Sequence, residues 1–283
     1  MIQSLTIIGT GLIGGSFGLA LKKRGFTGKI VGCDRSAILE HAQSVGAIDV
    51  ARANPVEAIL GSQIVLLATP VGSIIEMIRN LGPAITGDVL LTDAGSTKLE
   101  IVAQARRTFG SNYDDRFLPG HPMAGKEHSG VEHADPDLFQ DALWYFTPDV
   151  NRQPSALARV FAGLVGCVGA HVATIDPAEH DRLCGWTSHL PQMLSTALAA
   201  SLVEEFGPDA ELLENGGRAL TEMTRIAGSP YSMWRDIALT NEENLGQALL
   251  KLEQRLAHIR ENLNTRELEA EFDQAHKLRN TTP

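Results

Sequence analysis

The amino-acid sequence predicts an α/β fold in which a doubly wound parallel sheet is followed by an all-α domain. Three observations support this prediction. Strand-like runs alternate with helix-like segments through the first half of the 283 residues. Several of these runs are continuously apolar, as expected of parallel strands that are covered on both faces. From residue 176 onward strand patterns disappear and helical spacing dominates, so we predict two domains, 1–175 and 176–283.

The first strand is predicted at 4–8, where the sequence SLTII is apolar and β-branched. A glycine-rich turn, GTGLIG at 9–14, follows it and opens a helix. In this GxGxxG context Gly9 permits the tight turn, Gly11 lets a pyrophosphate approach the backbone, and Gly14 lets the helix lie close to the sheet. The turn therefore predicts a Rossmann-type, dinucleotide-binding domain, with amides of the helix N-terminus facing the phosphates. Its predicted cofactor-binding residues are Gly9, Gly11, Leu12, Ile13 and Gly14.

The second strand, predicted at 29–33, ends at an acidic residue, Asp34. Asp34 lies about 20 residues after Gly14, the spacing at which a carboxylate binds the adenosine ribose. This carboxylate favours NAD, because it accepts hydrogen bonds from both ribose hydroxyls and repels a 2′-phosphate. Arg35 and Ser36 follow directly and could instead bind that phosphate, so NADP stays an alternative. In a competing interpretation the turn belongs to another kind of α/β protein and Asp34 caps a helix.

Two further buried strands are predicted at 63–68 and 88–93. Thr69 and Pro70 end the first of them, and we expect both residues at the cofactor, since ligands bind at the carboxyl ends of parallel strands. Each strand is followed by a helix, and two more strands are expected to continue the same alternation. These remaining elements are predicted at 73–81, 99–107, 143–147 and 170–175.

The second domain begins at a strong helix start, with Asp176 at the cap and Pro177 in the first turn. Apolar residues recur at helical spacing near the C-terminus, from Leu245 to Leu263. This stripe faces either the domain's own core or a second subunit. We expect a homodimer, since so thin a helical domain often completes its core across a dimer interface. The helices are predicted at 177–205, 209–227, 230–240, 242–263 and 265–279.

Composition excludes several classes of partner. The formal net charge is −10, whereas nucleic-acid binding needs clustered Lys and Arg, so no nucleic acid is expected. No apolar run reaches the ~18 residues of a membrane span, and the first strand begins too early for a signal peptide. The three cysteines form no CxxC pair and suggest no disulfide framework. Together these features predict a cytoplasmic protein with no membrane partner.

A loop rich in glycine and proline, LPGHPMAG at 118–125, surrounds His121. A neutral imidazole on such a fixed, irregular backbone suits the acceptance of a hydroxyl proton, which alcohol oxidation by NAD requires. Two other segments are expected to supply partners: a strand-end loop that contains Ser96, and the first helix of the second domain, which contains His189. Pro191 is expected to break that helix and turn His189 toward the cleft between the domains.

In these motifs the chain resembles the prephenate and arogenate dehydrogenases of tyrosine biosynthesis, over nearly its whole length. Five segments carry the resemblance in order; the histidine motif is quite specific, whereas the first is shared with many dehydrogenases. The segments are GTGLIGGS at 9–16, GSTK at 95–98, GHPMAG at 120–125, SHLP at 188–191, and MTRIA at 223–227 followed by MWRD at 233–236. The resemblance is to a form without an ACT or chorismate mutase domain.

The resemblance implies a role for each site residue. His121 is the base that accepts the proton of the ring 4-hydroxyl, Ser96 bonds to the same hydroxyl or to His121, and His189 orients the substrate. Arg225 binds a substrate carboxylate, and Glu127 gates or orders the histidine loop. The implied reaction is oxidative decarboxylation of prephenate to 4-hydroxyphenylpyruvate, or of arogenate to tyrosine, with the hydride passing to NAD or NADP.

The fifth segment contains or adjoins two more residues of interest, Trp234 and Glu222. Through the motif match, Trp234 is predicted to bind the substrate together with Arg225 and Glu127, although packing is the simpler role for an indole there. The family often has Asp three residues before the arginine, where this chain has Glu222. We therefore do not predict Glu222 to be catalytic.

Two other functions compete with this one. A β-hydroxyacid dehydrogenase has the same two-domain plan, but it typically uses a lysine of the second domain, and residues 177–250 contain none. A non-catalytic NAD-sensing protein would keep the glycine turn without needing His121 or Arg225.

No metal is predicted. His128 and His133 have Asp135 nearby, but they lack a recognised ligand spacing and are interpreted as part of a solvated loop. The remaining histidines are predicted to be surface or capping residues: His41, His171, His180, His258 and His276.

Overall fold

The computed structural model of the protein describes residues 2–149, 151–208 and 211–280. Six parallel strands form its main sheet: β1 (Ser4–Ile8), β2 (Lys29–Cys33), β3 (Val50–Arg52), β4 (Ile64–Leu67), β5 (Leu90–Asp93) and β6 (Phe117–Leu118). Their order in space is β3-β2-β1-β4-β5-β6, which confirms the predicted doubly wound sheet. The strand order reverses between β1 and β4, and such a switch point is where this fold binds its ligands.

Helices cover both faces of this sheet, so successive side chains of one strand enter different cores. Leu5 and Ile7 of β1 belong to one apolar cluster, whereas Ile8 belongs to the other. This double burial explains why the strands are continuously apolar in sequence. The helices of this part are α1 (Leu12–Lys23), α2 (Ser36–Ser44), α3 (Pro55–Ala58), α4 (Val71–Leu81), α5 (Leu99–Phe109), α6 (Tyr113–Arg116) and α7 (Ala156–Cys167).

A second sheet of three strands contains β7 (Gly120–Pro122), β8 (Leu143–Phe146) and β9 (His171–Thr174). The strands predicted at 143–147 and 170–175 therefore exist, but the expectation that they extend the large sheet is wrong. They form a mixed sheet instead, because β8 pairs antiparallel with β7 and parallel with β9. β7 has too few residues, and too much glycine and proline, for a strand pattern in the sequence.

An aromatic cluster fixes this small sheet against the large one. Trp144 of β8 is completely buried, and its ring centre lies 5.6 Å from that of Phe17 on α1. Phe161 of α7 packs against the same two rings. Because β7 is paired with β8, this packing also fixes the position of His121.

The second domain is helical, as predicted. Its start has the predicted cap, with Asp176 accepting from the amides of Ala178 and Glu179 at 2.8 and 3.2 Å. Residues 209 and 210, within the predicted second helix, and residues 281–283, within the predicted domain, lie outside the described residues. The helices are α8 (Pro177–Cys184), α9 (Leu190–Phe206), α10 (Glu211–Thr224), α11 (Tyr231–Thr240), α12 (Glu242–Glu261) and α13 (Glu267–Asn280).

The segment between α8 and α9 differs from the prediction. The helix does not break at Pro191; it passes through a π-helical turn, Gly185–His189, and Pro191 lies in the first turn of α9. A proline is tolerated there because its missing N–H has no obligatory partner in a first turn. The π turn, rather than the proline, sets the direction of His189. Single π turns of this kind are frequent at functional sites.

Much of the helical domain is uncovered in the single chain. Among the described residues, α10 and α13 contain no buried side chain. On α12, Leu245 is buried, whereas Leu249 and Leu256 are 38% and 53% exposed. In the part of the chain that the structure describes, no helix combines the length and apolar character that crossing a membrane needs.

Candidate active site

The glycine turn between β1 and α1 leaves space where a phosphate group would bind. Gly9 has φ +92°, and a Cβ there would lie 2.6 Å from the carbonyl oxygen of Ala68. A Cβ on Gly14 would lie 2.0 Å from the carbonyl oxygen of Gly9, so α1 can approach β1 only with glycine at that position. A Cβ on Gly11 would meet nothing within 4 Å. Since no side chain caps α1, the amides of its first turn face this open space.

Asp34 and Thr69 flank the turn at the ends of β2 and β4. The carboxylate of Asp34 accepts from the amides of Thr10 and Arg35, both at 2.8 Å, which holds it beside the turn. A Cβ on Gly9 would lie 2.8 Å from the methyl group of Thr69, so Thr69 lines the opposite side. Pro70 precedes α4 and is exposed, as is Arg35. The turn, the free amides and the carboxylate together fit a dinucleotide.

His121 lies on β7, just beyond the carboxyl end of β6, and is 8% exposed. Its Nδ1 lies 2.9 Å from Nε2 of His180. Burial holds the pKa of His121 well below its ordinary value, and the neighbouring His180 adds to this effect. His121 is therefore a neutral imidazole, which can accept a proton.

The prediction that His180 is a surface or capping residue is wrong. His180 is completely buried on α8, and its Nδ1 lies 2.8 Å from Oδ1 of Asp181. The sequence pattern missed it because its contact with His121 is between the two domains. Burial lowers the pKa of His180, although the hydrogen bond with Asp181 acts in the opposite direction. The other four histidines of that group are exposed as predicted: His41, His171, His258 and His276.

Asp181 joins the second domain to the first. Its Oδ1 accepts from the amide of Lys98 at 2.7 Å, and its Oδ2 accepts from the amide of Leu99 at 2.9 Å. These amides begin α5. A carboxylate of α8 therefore accepts hydrogen bonds from amides that have no partner within their own helix, which lies in the other domain. No sequence motif indicated this role for Asp181.

A buried ion pair supports the backbone at His121. Lys98 is completely buried, and its ammonium group donates to Asp93 and, at 2.7 Å, to the carbonyl oxygen of Gly120. Asp93 in turn accepts from the amide of Gly120 at 3.1 Å and from that of Gly95 at 2.8 Å. The residue before His121 is thus held through both its polar backbone groups. Lys98 belongs to the GSTK segment, but no pattern in that segment indicates that its side chain is buried.

His189 is also buried, and one of its nitrogens has no partner. Its Nδ1 lies 3.0 Å from the side-chain nitrogen, Nδ2, of Asn241, while its Nε2 is buried without a hydrogen bond. Burial lowers the pKa of His189 to about 4. The indole of Trp234 packs edge-on against this imidazole, with ring centres 5.9 Å apart. An unsatisfied polar atom of this kind is suited to a ligand group.

Ser96 is half-buried in the loop after β5. In the described part of the chain it makes no hydrogen bond to His121, whose Nδ1 is bonded to His180 instead. Of the two roles expected for Ser96, contact with the substrate hydroxyl therefore stays a prediction.

Arg225 and Glu127 lie close together and form an ion pair. Arg225 begins a short 3₁₀ turn, Arg225–Gly228, after α10, and its side chain is 58% exposed. A backbone hydrogen bond at Glu127, followed by the contact with Arg225, lowers the pKa of this carboxyl. Glu127 thus pairs with the guanidinium group of Arg225, which the family resemblance assigns to the binding of a substrate carboxylate.

Two groups of histidines lie close enough together to be considered as metal ligands. The rings of His128 and His133 are stacked, with centres 4.9 Å apart, on exposed or half-buried positions of the loop. His121, His180 and Cys184 offer three ligand atoms within 4.8 Å of one another, a cluster that the sequence did not indicate. Burial raises the pKa of the Cys184 thiol to about 12, so the neutral thiol is strongly favoured there.

Family models match both halves of the chain. Residues 17–174 match the nucleotide-binding domain of prephenate dehydrogenase, and residues 176–277 match its dimerization domain. A prephenate dehydrogenase of Lactococcus lactis is 32% identical over 98% of this chain and 77% of its own length.

Solved structures agree with these matches. The prephenate dehydrogenase of Aquifex aeolicus, in complex with hydroxyphenyl propionate and NAD+, has a TM-score of 0.86 and 31% identity; the similarity covers 99% of this chain and 98% of that one. The arogenate dehydrogenase of Synechocystis has a TM-score of 0.77 and 26% identity, over 99% of this chain and 100% of that one.

Proposed function

The chain belongs to the prephenate dehydrogenase family, and from this premise we propose the reaction that it catalyses. It oxidatively decarboxylates prephenate to 4-hydroxyphenylpyruvate, or arogenate to tyrosine. The observation that carries the proposal is the buried imidazole of His121, whose pKa is lowered by burial, at the same carboxyl end of the parallel strands as the glycine turn. Neither competing function, a β-hydroxyacid dehydrogenase or a non-catalytic NAD-sensing protein, accounts for the family match.

The cofactor is NAD, with NADP as the alternative. The open space at Gly11 and the amides of Leu12 and Ile13 suit the pyrophosphate, and the carboxylate of Asp34 suits the adenosine ribose. The relative from Aquifex aeolicus is described in complex with NAD+, which supports the same choice. When bound, the nicotinamide ring supplies the acceptor for the substrate's hydride.

His121 moves the proton of the reaction. As the hydride leaves the carbinol carbon, the neutral imidazole accepts the hydroxyl proton. The bond between the ring and its carboxylate then breaks, CO₂ leaves, and the electron pair of that bond completes an aromatic phenolate. The phenolate oxygen takes the proton back from His121 to give the 4-hydroxyl group of the product. Aromatisation supplies the driving force, so the protein mainly orients the ring and stabilises the oxygen that is losing its proton.

Three other side chains orient the substrate. Arg225 binds one carboxylate of the substrate through its planar guanidinium group. The substrate carboxylate then replaces Glu127 as the partner of this guanidinium. His189, with its unpartnered Nε2, and Ser96 are assigned to polar groups of the substrate near His121. Trp234 packs edge-on against the ring of His189.

Steady-state kinetics with both substrates and both cofactors test the proposal. We expect turnover of at least one of prephenate and arogenate, with NAD preferred over NADP. The similar proteins include enzymes named for each substrate, so the measurement also decides between them. Absence of turnover with all four combinations would contradict the proposed reaction.

We further propose a homodimer built by the second domain, with domains at 1–175 and 176–283. The exposed leucines of α12 and the match to a dimerization domain support this arrangement. The cysteine usage of the sequence supports a cytoplasmic location.

A further inference from the structure

We propose that His180 and Asp181 form a buried hydrogen-bond relay that holds His121 in the tautomer with an unprotonated Nε2. Both are positioning residues, because they act on the reaction only through His121. The inference rests on the proposed function, in which His121 is the base. It deepens that function by naming the atom that receives the proton.

The relay begins at the carboxylate of Asp181, which is completely buried. Its oxygens accept from the amides of Lys98 and Leu99 at 2.7 and 2.9 Å, and these two donors stabilise the ionised carboxylate. An ionised carboxylate can only accept hydrogen bonds. Nδ1 of His180, 2.8 Å from Oδ1, therefore carries a hydrogen and donates it.

The second link follows from the first. Burial keeps His180 neutral by lowering its pKa, and a neutral imidazole carries a hydrogen on one nitrogen only. Its Nε2 is then a lone pair, 2.9 Å from Nδ1 of His121. His121 must donate across this contact, which leaves its own Nε2 without a hydrogen. The opposite tautomer of His121 would set two buried lone pairs against each other.

The charges around His121 explain the use of a histidine between the base and the carboxylate. A carboxylate bonded directly to His121 would raise its pKa and favour the protonated form. His180 holds the ring with a neutral acceptor, and the negative charge of Asp181 lies one ring further away. Among the described residues, the other titratable groups that face the pair are the Lys98–Asp93 ion pair, His189, the ring of Tyr145, and the thiol of Cys184, which lies 3.5 Å from Nε2 of His180. Because the ammonium is paired with Asp93, the carboxylate of Asp181 is the counter-charge available when His121 takes the proton.

The relay also links the base to the contact between the domains. His121 is on β7, the relay residues are on α8, and the amides that bind the carboxylate begin α5. The second domain therefore sets the protonation of a histidine that belongs to the first.

Nitrogen-15 NMR of histidine-labelled enzyme, without substrate or cofactor, observes the tautomer directly. We expect a protonated Nδ1 and an unprotonated Nε2 for His121 at neutral pH, assigned by loss of the signals in His121→Asn. A protonated Nε2 would overturn the proposal. This readout does not depend on turnover, so a wild type that is inactive on both substrates would refute the proposed function and leave the relay standing.

A pair of variants at position 180 separates the hydrogen bond from the shape of the side chain. His180→Leu removes the acceptor, and we expect kcat to fall by about 10²-fold or more with KM nearly unchanged. His180→Gln supplies an oxygen that accepts from Nδ1–H of His121, and it should restore kcat to within about tenfold of wild type. His171→Gln is the matched control, since His171 is an exposed histidine. Equal activity of the two position-180 variants, whether high or low, would overturn the relay.

Two further measurements distinguish the relay from a structural carboxylate and from a metal site. Asp181→Leu removes the acceptor for Nδ1–H of His180, so the tautomers of both rings should no longer be fixed, which NMR would show even if activity is lost; a His121 still held entirely in the wild-type tautomer would overturn the proposal. Metal analysis of the purified protein tests the cluster with Cys184. Stoichiometric zinc bound by His121, His180 and Cys184 would also overturn the relay, whereas a metal-free and fully active protein supports it.

Discussion

Substitution of Gly14 by alanine tests how closely α1 packs against the sheet. The new Cβ would lie 2.0 Å from the carbonyl oxygen of Gly9 and 2.7 Å from a methyl group of Ile7. An ordinary contact needs about 3.4 Å, so the helix has to move outward by more than an ångström. Overpacking of this kind costs about 1–3 kcal/mol, and each kcal/mol lowers Tm by roughly 2–4 °C in a chain of this size. We expect Tm of the cofactor-free protein to fall by about 2–12 °C.

Gly11→Ala is the matched control, because a Cβ there meets nothing within 4 Å. Its Tm should stay within about 2 °C of wild type. Its affinity for NAD should fall about tenfold or more, since the methyl group enters the space assigned to the pyrophosphate and costs at least one charge-assisted hydrogen bond. Thermal melts and calorimetric titration with NAD separate the two effects. If Gly14→Ala melts like wild type, or Gly11→Ala binds NAD as wild type does, the reasoning about the turn is wrong.

Four further predictions concern the base, the substrate carboxylate, the cofactor and the dimer. His121→Asn should fold, bind NAD and lose about 10²–10⁴-fold in kcat; a loss under about tenfold would place the base elsewhere. Since burial holds the pKa of His121 in the free protein well below 6.5, wild-type kcat/KM should stay level down to that pH and fall only in stronger acid, as the imidazole is protonated. Arg225→Ala should raise KM by about 10–30-fold with a smaller effect on kcat, and lysine at this position should rescue it only in part; an unchanged KM would exclude Arg225 as the anion site. Asp34→Ser should shift cofactor preference from NAD toward NADP, and a wild type that already prefers NADP would contradict the role of this carboxylate. Light scattering should give twice the 30.5 kDa chain mass for wild type and a lower mass for Leu256→Asp; a wild-type monomer would refute the dimer.

The main sheet could be predicted from sequence because its signals are local. A buried parallel strand is apolar along its whole length, and the glycines at 9 and 14 are required by the backbone of one turn. The cap at Asp176 is equally local, since its carboxylate bonds to amides two and three residues away. Such features follow from the chemistry of a few neighbouring residues.

The second sheet and the π turn could not be predicted in the same way. Gly120–Pro122 is a strand only because β8 lies beside it, and the aromatic rings that fix β8 come from α1 and α7. Pro191 is a local signal that pointed to a break, but a first-turn position made the proline compatible with a continuous helix. In both cases tertiary contacts decided between local alternatives.

The sequence by itself determined the fold class, the glycine turn, the acid at Asp34 and the histidine of the GHPMAG motif, because each depends on short-range spacing. Only the tertiary structure decided which buried residues support that histidine through hydrogen bonds. His180 and Asp181 are 59 and 60 residues from His121 along the chain, in another domain, and nothing in their local pattern distinguishes them from surface residues of an amphipathic helix. Their burial, and the burial of Lys98, arises where α8 packs against the start of α5. Hydrogen bonds between distant segments leave no periodicity in a sequence, so the protonation of the base is a property of the folded chain alone.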